Sequence, residues 1–368
     1  MSPASTAVPL RPVRPARPVL VTGGAGFLGC NIADRLASAG TRVLVLDSLA
    51  RPGVEANLAW LKGRHGGSLV EATLADVRDE GACREAVRGC SAVLHLAAQV
   101  AVTTSLADPV HDFEVNARGT LNLLEAARRE PEPPPFLFAS TNKVYGKLLG
   151  EGALERRCSR WEPLDPAWLA GCAETAPLDL YSPYGCSKGV ADQYALDYAR
   201  CFGLRTLVFR MSCLYGQHQF GTEDQGWVAH FLIKALKGEP VTVYGDGAQV
   251  RDALHVDDAV DAWLLGLAGI DRLAGRSFNL GGGPRNTLSL LEMLARVEAL
   301  TGAWPEVGFG EGRPGDQLWY VSDTRAFEAA TGWRARVGLD EGLARLADWL
   351  RQNAPAPAPP VPLREARA

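Results

Sequence analysis

The sequence predicts an α/β protein with a Rossmann-like, doubly wound parallel sheet and a smaller, mostly helical C-terminal part. Short apolar strands alternate with helical patterns from residue 18 onward, and this alternation indicates parallel strands joined by crossover helices. The strands show no polar alternation, which indicates that both faces of the sheet are covered. A glycine-rich turn directly follows the first strand. Together these observations set the fold class.

The predicted elements follow the chain in the order that this fold requires. Strands are predicted at PVLVTG, RVLVLD, SLVEATL, AVLHLAA, FLFAS and LRTLVFR. Helices are predicted from about Gly26 and at 54–61, 80–88, 109–128, 182–202, 227–237, 256–267, 288–301 and 339–351. The segment at about 148–180 mixes tryptophans, prolines and charges, so it is predicted to be an insertion loop with short helices.

Composition argues against several classes of partner. The 368 residues carry a formal net charge of -4, so no basic field favours nucleic acid. No apolar run reaches the roughly 18 residues of a membrane helix, and the N-terminal residues lack the apolar core of a secretory signal. The eight cysteines form no C-x-x-C pair, and the histidines show no metal-ligand spacing. A cytoplasmic protein with free thiols and no metal is expected.

The glycine-rich turn has the spacing of a dinucleotide-binding site. Gly23, Gly26 and Gly29 stand between an apolar strand and a helix, where glycines allow a tight turn, close approach of a pyrophosphate and close helix–strand packing. Asp47 closes the next strand, about 20 residues on, where a carboxylate accepts both ribose hydroxyls. The pattern predicts NAD rather than NADP, although the Arg51 guanidinium could instead pair with a phosphate.

The other predicted cofactor contacts lie at the ends of further strands. Asp76 ends the third strand, where it could hold the adenine amino group or, with even odds, cap the following helix. HLAAQ ends the fourth strand. The predicted cofactor set is completed by Phe27, Leu28, Ser48, Val77, Leu96, Ala97, Ala98, Asn116 and Lys188.

A candidate reactive pair lies in YGCSK, where Tyr184 and Lys188 are one helical turn apart and share a face. An ordinary phenol, with a pKa of about 10, is a poor base at neutral pH. The positive charges of Lys188 and bound NAD+ are expected to lower the phenol pKa so that Tyr184 can act as a base. Lys188 is also expected to hold the nicotinamide ribose.

With these residues the chain, from about 18 to 350, resembles the extended short-chain dehydrogenase/reductase superfamily, and specifically its nucleotide-sugar epimerases and dehydratases. The resemblance implies that Thr141, four residues before the Tyr of VYG, completes the reactive group. The alternative for Thr141 is a strand-end hydroxyl that satisfies a turn. Ser140 is expected to support the backbone or the nicotinamide.

The residues after Thr141 separate the activities within this superfamily. The similar 4,6-dehydratases carry Asp-Glu there and related decarboxylases usually keep the Glu, whereas this chain has Asn142 and Lys143. Redox-neutral epimerisation of a nucleotide-diphosphate sugar remains. STNKVYG, SPYGCSKGVADQYALDYAR, FGTEDQGW and VRDALHVDD resemble the CDP-paratose (CDP-tyvelose) 2-epimerases, which implies inversion at C2 of a CDP-hexose. The alternatives are a UDP-sugar 4-epimerase, a dehydratase or decarboxylase, and a non-catalytic NAD-binding regulator.

The resemblance also implies which residues bind the sugar nucleotide. Arg251 and Arg313 match diphosphate clamps, since guanidinium forks suit phosphate oxygens; the alternative is an ion pair with Asp252 or Asp316. Thr103 and Thr104 are expected to contact sugar hydroxyls or to cap the next helix.

Four other residues receive sequence-based expectations. Asn142 is counted with the substrate-binding residues, and His95 is expected to be a core histidine. Met211 and Cys213 stand where the 2-epimerases are expected to carry other residues, which leaves the base and sugar preference open.

The same considerations divide the chain. Residues 18–215 are predicted to be mainly the NAD-binding domain, and 216–352 mainly the nucleotide-sugar-binding part, with some segments returning to the sheet. Residues 1–17 and the Pro/Ala-rich residues 353–368 are predicted to be disordered or extended tails. By resemblance, a homodimer or homotetramer is expected, formed through the helices at 109–128 and 182–202.

Overall fold

The computed structural model of the protein describes residues 17–302 and 304–353. Its strands are β1 Val19–Thr22, β2 Val43–Asp47, β3 Val70–Leu74, β4 Ala92–His95, β5 Phe136–Thr141, β6 Leu154–Arg157, β7 Arg160–Pro163, β8 Thr206–Met211, β9 Cys213–Tyr215, β10 Val241–Tyr244, β11 Val250–His255, β12 Arg276–Leu280, β13 Thr287–Ser289, β14 Val307–Gly310 and β15 Trp319–Tyr320. Its α-helices are α1 Phe27–Ser38, α2 Val54–His65, α3 Glu80–Val87, α4 Val102–Ala107, α5 Pro109–Phe113, α6 Gly119–Arg128, α7 Ser182–Phe202, α8 Trp227–Lys237, α9 Val256–Ala268, α10 Ile270–Leu273, α11 Leu290–Thr301, α12 Arg325–Thr331 and α13 Leu339–Asn353.

A seven-stranded parallel sheet, in the order β12-β8-β5-β4-β1-β2-β3, forms the centre of the molecule. The chain builds outward from β1 in one direction through β2 and β3, and then in the other direction from β4. Ligands of open α/β sheets bind outside the carboxyl ends of the strands where this reversal occurs. The predicted doubly wound parallel sheet is confirmed.

Helices cover both faces of this sheet. One hydrophobic cluster joins the sheet to α1, α2 and α9, and a second joins the opposite face to α3, α6 and α7. In β1, Val19 and Val21 face the first cluster and Leu20 faces the second, as the two-residue period of a strand requires. The apolar run of β1 therefore reflects burial on both faces.

The C-terminal part has its own hydrophobic cluster, built from α8, α11, α13, β10 and β11. It also contains two small sheets, one in which β11 pairs with β9, β13 and β15, and one formed by β10 and β14. Strands of two to six residues are too short for a clear pattern of alternation, which explains why the sequence predicted a mostly helical part.

Two predicted segments differ from the structure. The single helix predicted at 109–128 is divided into α5, a π-helical segment Glu114–Arg118 and α6, and α4 precedes it unpredicted. Asp108 separates α4 from α5 because a residue before proline avoids the helical conformation, and its side chain accepts a hydrogen bond from the His111 N–H at 2.9 Å. The insertion contains a hairpin of β6 and β7 between 3-10 turns rather than short helices alone.

The predicted tails, 1–17 and 353–368, lie outside the described residues except for Arg17 and Asn353. The boundary between the two predicted domains stays a prediction. Within the described ranges, no helix combines the length and the apolar character that crossing a membrane would require. All eight cysteines are free thiols.

A buried ion pair fixes α7 against the sheet. The Asp192 carboxylate on α7 accepts hydrogen bonds from the Arg210 guanidinium on β8 at 2.9 and 3.0 Å. The same carboxylate accepts a hydrogen bond from the Ser140 hydroxyl on β5 at 2.7 Å. One side chain therefore joins three elements, and two of them end at the cavity described below.

We expect Asp192→Ala to lower the free energy of unfolding by about 3–5 kcal/mol, because it leaves the Arg210 charge buried without its partner. Urea denaturation followed by circular dichroism measures this loss. The matched control is Asp271→Ala, whose partner Arg205 is exposed; it should cost less than about 1 kcal/mol. Equal losses in the two variants would contradict this account of the ion pair.

Candidate active site

One continuous cavity of about 840 Å³ lies at the carboxyl ends of the central strands and extends to the C-terminal part. Its wall includes the ends of β1, β2, β4 and β5, the loop before α8, and residues 313–316. This volume lies within the range of about 300–1,000 Å³ typical of small-molecule and cofactor sites. The cavity is therefore the candidate active site.

The glycine turn forms a narrow cradle on one side of the cavity. A Cβ at Gly29 would stand 2.2 Å from the Gly23 carbonyl oxygen, and a Cβ at Gly23 would stand 2.7 Å from the Ala97 nitrogen. The helix α1 begins after Gly26, which has no side chain, and no side chain among the described residues caps its N-terminus. Uncapped N–H groups at a helix N-terminus suit a phosphate group. The cradle thus fits the pyrophosphate of a dinucleotide.

Asp47 lies at the end of β2 in a fixed orientation. One carboxylate oxygen accepts a hydrogen bond from the Ala25 N–H and the other from the Leu49 N–H, each at 2.9 Å. Each oxygen keeps a further lone pair, and Asp47 lies on the cavity wall. This arrangement fits ribose hydroxyls. Arg51 also lies on the wall, and burial lowers the pKa of its guanidinium.

Asp76 does not cap the following helix. Asp79 caps α3, since its carboxylate accepts a hydrogen bond from the Ala82 N–H at 3.0 Å. Asp76 lies on the cavity wall and accepts hydrogen bonds from the Arg78 backbone and guanidinium, and the latter bond lowers the pKa of Asp76. The helix-cap alternative is wrong, and the adenine contact stays a prediction.

All but one of the predicted cofactor residues lie on the cavity wall. The exception is Asn116, in the π-helical segment. Its amide donates to the Gln99 carbonyl at 3.0 Å, and its oxygen accepts from the Gln99 N–H at 2.9 Å. Asn116 thus fixes the loop after β4, and its direct contact with a cofactor stays a prediction.

The three candidate catalytic residues all lie on the cavity wall. Thr141 ends β5, and its side chain lies close enough to the Tyr184 phenol to influence the pKa of that phenol. The Thr141 oxygen also accepts a hydrogen bond from the Lys143 N–H at 3.2 Å. Thr141 therefore also satisfies the turn after β5, as the alternative interpretation predicted. Lys188, one turn beyond Tyr184 on α7, places its ammonium 4.2 Å from the centre of the Phe138 ring.

Burial dominates the proton affinities of this group. It raises the pKa of Tyr184 to about 12, against the effect of the nearby Thr141 side chain. Burial also lowers the pKa of Lys188 to about 7, opposed by Asp112 and Asp192. The expectation that Lys188 and bound NAD+ together lower the phenol pKa concerns the protein with its cofactor and stays a prediction.

Two neighbouring side chains serve the scaffold. Ser140 donates its hydroxyl hydrogen bond to Asp192, which supports the scaffold, and the nicotinamide contact considered for it stays a prediction. His95 is buried, and its two ring nitrogens lie 2.7 and 2.9 Å from the hydroxyls of Thr22 and Thr120. The prediction of a core histidine is confirmed.

Thr103 lies on the cavity wall. Its buried hydroxyl has no hydrogen-bond partner among the described residues, and such a group normally finds one. Thr103 and Thr104 lie within α4, whose N-cap is Ala101, so the capping alternative is wrong for both. A ligand hydroxyl would satisfy the Thr103 oxygen.

The two predicted clamp residues both lie on the wall, and each also has an acidic neighbour. Arg251 donates to the Asp316 carboxylate at 2.6 Å. Arg313 donates to the Glu223 carbonyl at 3.0 Å, and its guanidinium carbon lies 3.7 Å from the centre of the Tyr244 ring. An acidic neighbour therefore does not exclude either arginine from binding phosphate in the cavity.

Asp252, the other partner considered, accepts instead from the Ser212 hydroxyl and the Gly283 N–H. Asn142 lies on the wall and donates its amide to the Gln317 side chain at 3.3 Å. Met211 and Cys213 line the cavity too, and the Trp227 indole N–H donates to the Cys213 sulfur at 3.3 Å.

Several wall residues were not assigned to the site from the sequence. They are Lys143, Gln219, Glu223, Asp224, Trp227, Tyr244 and Asp316. Most occur in loops that show no periodicity, so only the quoted likeness of FGTEDQGW and VRDALHVDD pointed near them. The sequence singles out Lys143 only because it stands where the similar dehydratases carry a Glu. Within the described ranges, no group of three or more His, Cys, Asp or Glu side chains is placed to hold a metal ion.

A Rossmann sheet with this cradle, Asp47 and the Tyr184–Lys188 pair defines the class of dinucleotide-binding short-chain dehydrogenase/reductase proteins. A family model described as "NAD dependent epimerase/dehydratase family" matches residues 19–281. The chain belongs to this family.

Comparison with known proteins gives relatives that match along most of their length. The chain is 40% identical to the CDP-paratose 2-epimerase of Salmonella typhi, covering 90% of this chain and 98% of that protein. The UDP-glucose 4-epimerase of Thermus thermophilus, solved in complex with NAD, has a TM-score of 0.77 at 36% identity, covering 91% and 99%. DesIV, a dTDP-glucose 4,6-dehydratase of Streptomyces venezuelae solved with NAD and TYD bound, has a TM-score of 0.77 at 32% identity, covering 91% and 97%.

We expect Gly29→Ala to abolish measurable NAD binding, because the added Cβ would collide with the Gly23 carbonyl and force the cradle open. Isothermal titration calorimetry with NAD measures this effect. Gly63→Ala is the matched control, since a Cβ at that helical position meets nothing within 4 Å. Wild-type affinity in Gly29→Ala would show that the cradle does not hold the cofactor.

The pKa of Lys188 predicts a pH-dependent stability. Between pH 7 and 10.5 the unfolded chain holds the Lys188 proton and the folded chain has lost it. Because the unfolded state then binds more protons, stability rises with pH in this window. The free energy of unfolding of wild type minus that of Lys188→Met should therefore increase from about pH 6 to about pH 9.5 in urea denaturation without cofactor. A constant difference would contradict the lowered pKa.

Proposed function

We propose that this protein catalyses NAD-dependent epimerisation of a nucleotide-diphosphate sugar at C2 of a CDP-hexose, by transient oxidation to a keto sugar and re-reduction on the opposite face. The observation that carries the proposal is the meeting of Thr141, Tyr184 and Lys188 in one cavity with a dinucleotide cradle. The 40% identity to a CDP-paratose 2-epimerase supports the choice of base and carbon.

The cofactor would be held by the glycine cradle, Asp47 and Lys188. NAD, when bound, supplies a reversible two-electron acceptor next to the sugar. Tyr184 takes the proton from the sugar hydroxyl that is oxidised, and the Thr141 hydroxyl orients that oxygen through its hydrogen bond. The proton returns from Tyr184 to the same oxygen when the sugar is reduced again. One acid/base group is therefore enough.

The side chains beyond Thr141 support epimerisation over dehydration. Removal of water from a sugar requires a second acid and base beside the ring. Asn142 cannot ionise, and its amide is held by Gln317, while Lys143 presents a cation. The relatives include dTDP-glucose 4,6-dehydratases at 31–33% identity, so the overall similarity does not separate the two activities. Asn142 and Lys143 favour epimerisation.

A UDP-sugar 4-epimerase is the second candidate, supported by the likeness to the Thermus thermophilus enzyme. It would use the same three catalytic residues and differ in how the ring is presented. A non-catalytic NAD-binding regulator would need neither a base nor its hydroxyl partner, so the intact reactive group argues against it.

Oligomerisation through the helices at 109–128 and 182–202, and a cytoplasmic location, are part of the proposal. Val110 and Phe113 on α5, and Tyr194 and Phe202 on α7, are exposed large apolar side chains. An association of two copies would cover such groups. A homodimer or homotetramer is the expected state.

With CDP-tyvelose as substrate, we expect nuclear magnetic resonance to detect inversion at C2 by the purified protein, and none at C4 with UDP-glucose. Tyr184→Phe should lower the rate about 10²- to 10⁴-fold, because the acid/base group is lost. Tyr181→Phe, an exposed tyrosine near the start of the same helix, is the control. Inversion at C4 alone would overturn the C2 assignment, and steady release of NADH would indicate a net dehydrogenase.

A further inference from the structure

Two largely buried cations on the cavity wall share a single carboxylate. The Lys143 ammonium lies 3.4 Å from one oxygen of Asp316, and the Arg251 guanidinium lies 2.6 Å from the same oxygen. The side chains of Lys143 and Arg251 are only 18% and 8% exposed. All three residues lie on the wall. The cluster of Lys143, Arg251 and Asp316 therefore carries one uncompensated positive charge.

Among the described residues, no other acidic group in contact with this cluster removes the excess charge. Asp252 is committed to Ser212 and to the Gly283 N–H. Cys213 lies nearby, but burial raises the pKa of its thiol, which keeps it neutral. Burial also lowers the pKa of Lys143, while Asp316 opposes this effect. A partly desolvated surplus charge is costly without a counter-ion, so the cluster is suited to an anionic ligand.

The ammonium has a donor to offer that ligand. Of its three N–H groups, two are directed to the Gly315 carbonyl at 3.1 Å and to Asp316. The third has no partner among the described residues. The Lys143 backbone N–H is bonded to the Thr141 hydroxyl, so this cation is attached directly to the reactive segment.

Sugar chemistry identifies the anion that belongs beside Thr141. In a nucleotide-diphosphate sugar the second phosphate is esterified to the anomeric carbon C1, and C2 is bonded directly to C1. An enzyme that oxidises C2 must therefore accommodate this phosphate close to its reactive hydroxyl. C4 lies across the ring, so an enzyme acting at C4 has no such requirement.

We propose that Lys143 binds the sugar-linked phosphate of the substrate, and that this contact presents C2 rather than C4 to Thr141 and Tyr184. The inference rests on the proposed function and deepens it. Arg251, which contacts the same oxygen of Asp316, would bind the same phosphate. Its guanidinium offers a planar pair of donors, whereas the Lys143 ammonium offers a point charge. The position that carries a Glu base in the similar dehydratases thus carries a substrate-binding cation here.

The test compares ligands that differ by this one phosphate. Calorimetric titration of the NAD-loaded protein with CDP and with CMP should show that Lys143→Met weakens CDP binding about tenfold or more, the loss expected for a hydrogen bond to a charged group. CMP lacks the sugar-linked phosphate, so its affinity should not change. Lys143→Arg should retain most of the CDP affinity, because it keeps a charged donor.

The control is Lys147→Met, an exposed lysine four residues on that lies against Tyr181; it should bind CDP as the wild type does. Unchanged CDP affinity in Lys143→Met, or an equal loss for CMP, would overturn the inference. A loss confined to CDP-hexose would also overturn it, since Lys143 would then contact the sugar. These binding results stand apart from turnover: failure to invert C2 would refute the proposed function while the CDP and CMP comparison still decides the role of Lys143.

Discussion

The position of α7 against the end of β5 is the constraint on which the reactive group depends. Thr141 is the last residue of β5, whereas Tyr184 and Lys188 lie on α7, which begins at Ser182 after the insertion. Asp192 bonds both to Ser140, the neighbour of Thr141, and to Arg210 on the next strand. Because this ion pair is buried and charge-assisted, it fixes α7 against the end of β5 before any ligand arrives.

Electrostatics divides the cavity into two regions with different partners. The cradle offers backbone N–H groups and the carboxylate of Asp47, which suit a pyrophosphate and a ribose. The second region offers the ammonium and guanidinium groups of Lys143, Arg251 and Arg313, which suit a diphosphate. The Tyr184 phenol on the same wall is buried, and its pKa is raised to about 12. The positive charge of a bound cofactor would favour the ionised form of this phenol, as the proposed role of Tyr184 requires.

The sequence predicted the large sheet well because its signals are local. The apolar run of β1, the glycine turn and α7 each follow from periodicity or spacing within one segment, and the predicted bounds of α7 agree with the structure. The β6–β7 hairpin was not predicted because its strands carry charged residues and are stabilised by contacts with distant segments. The π-helical segment within 109–128 could not be predicted from local periodicity, because Asn116 and Asp112 are held there by hydrogen bonds to Gln99.

The site was predicted only where a residue lies in a motif. Lys143 and Asp316 are far apart in the sequence, so their pairing, and the surplus charge it leaves with Arg251, became visible only in three dimensions. The raised pKa of Tyr184 likewise depends on burial by elements that no local pattern specifies.

The central claim, that a sugar carbon is oxidised and reduced again within one active site, is tested most directly with a CDP-hexose deuterated at C2. The account predicts that the epimerised product retains deuterium at C2, because the transferred atom returns to the same molecule, and mass spectrometry with nuclear magnetic resonance would detect it. Replacement of the label by protium from solvent would contradict the account, since it would show inversion by proton exchange rather than by reversible oxidation.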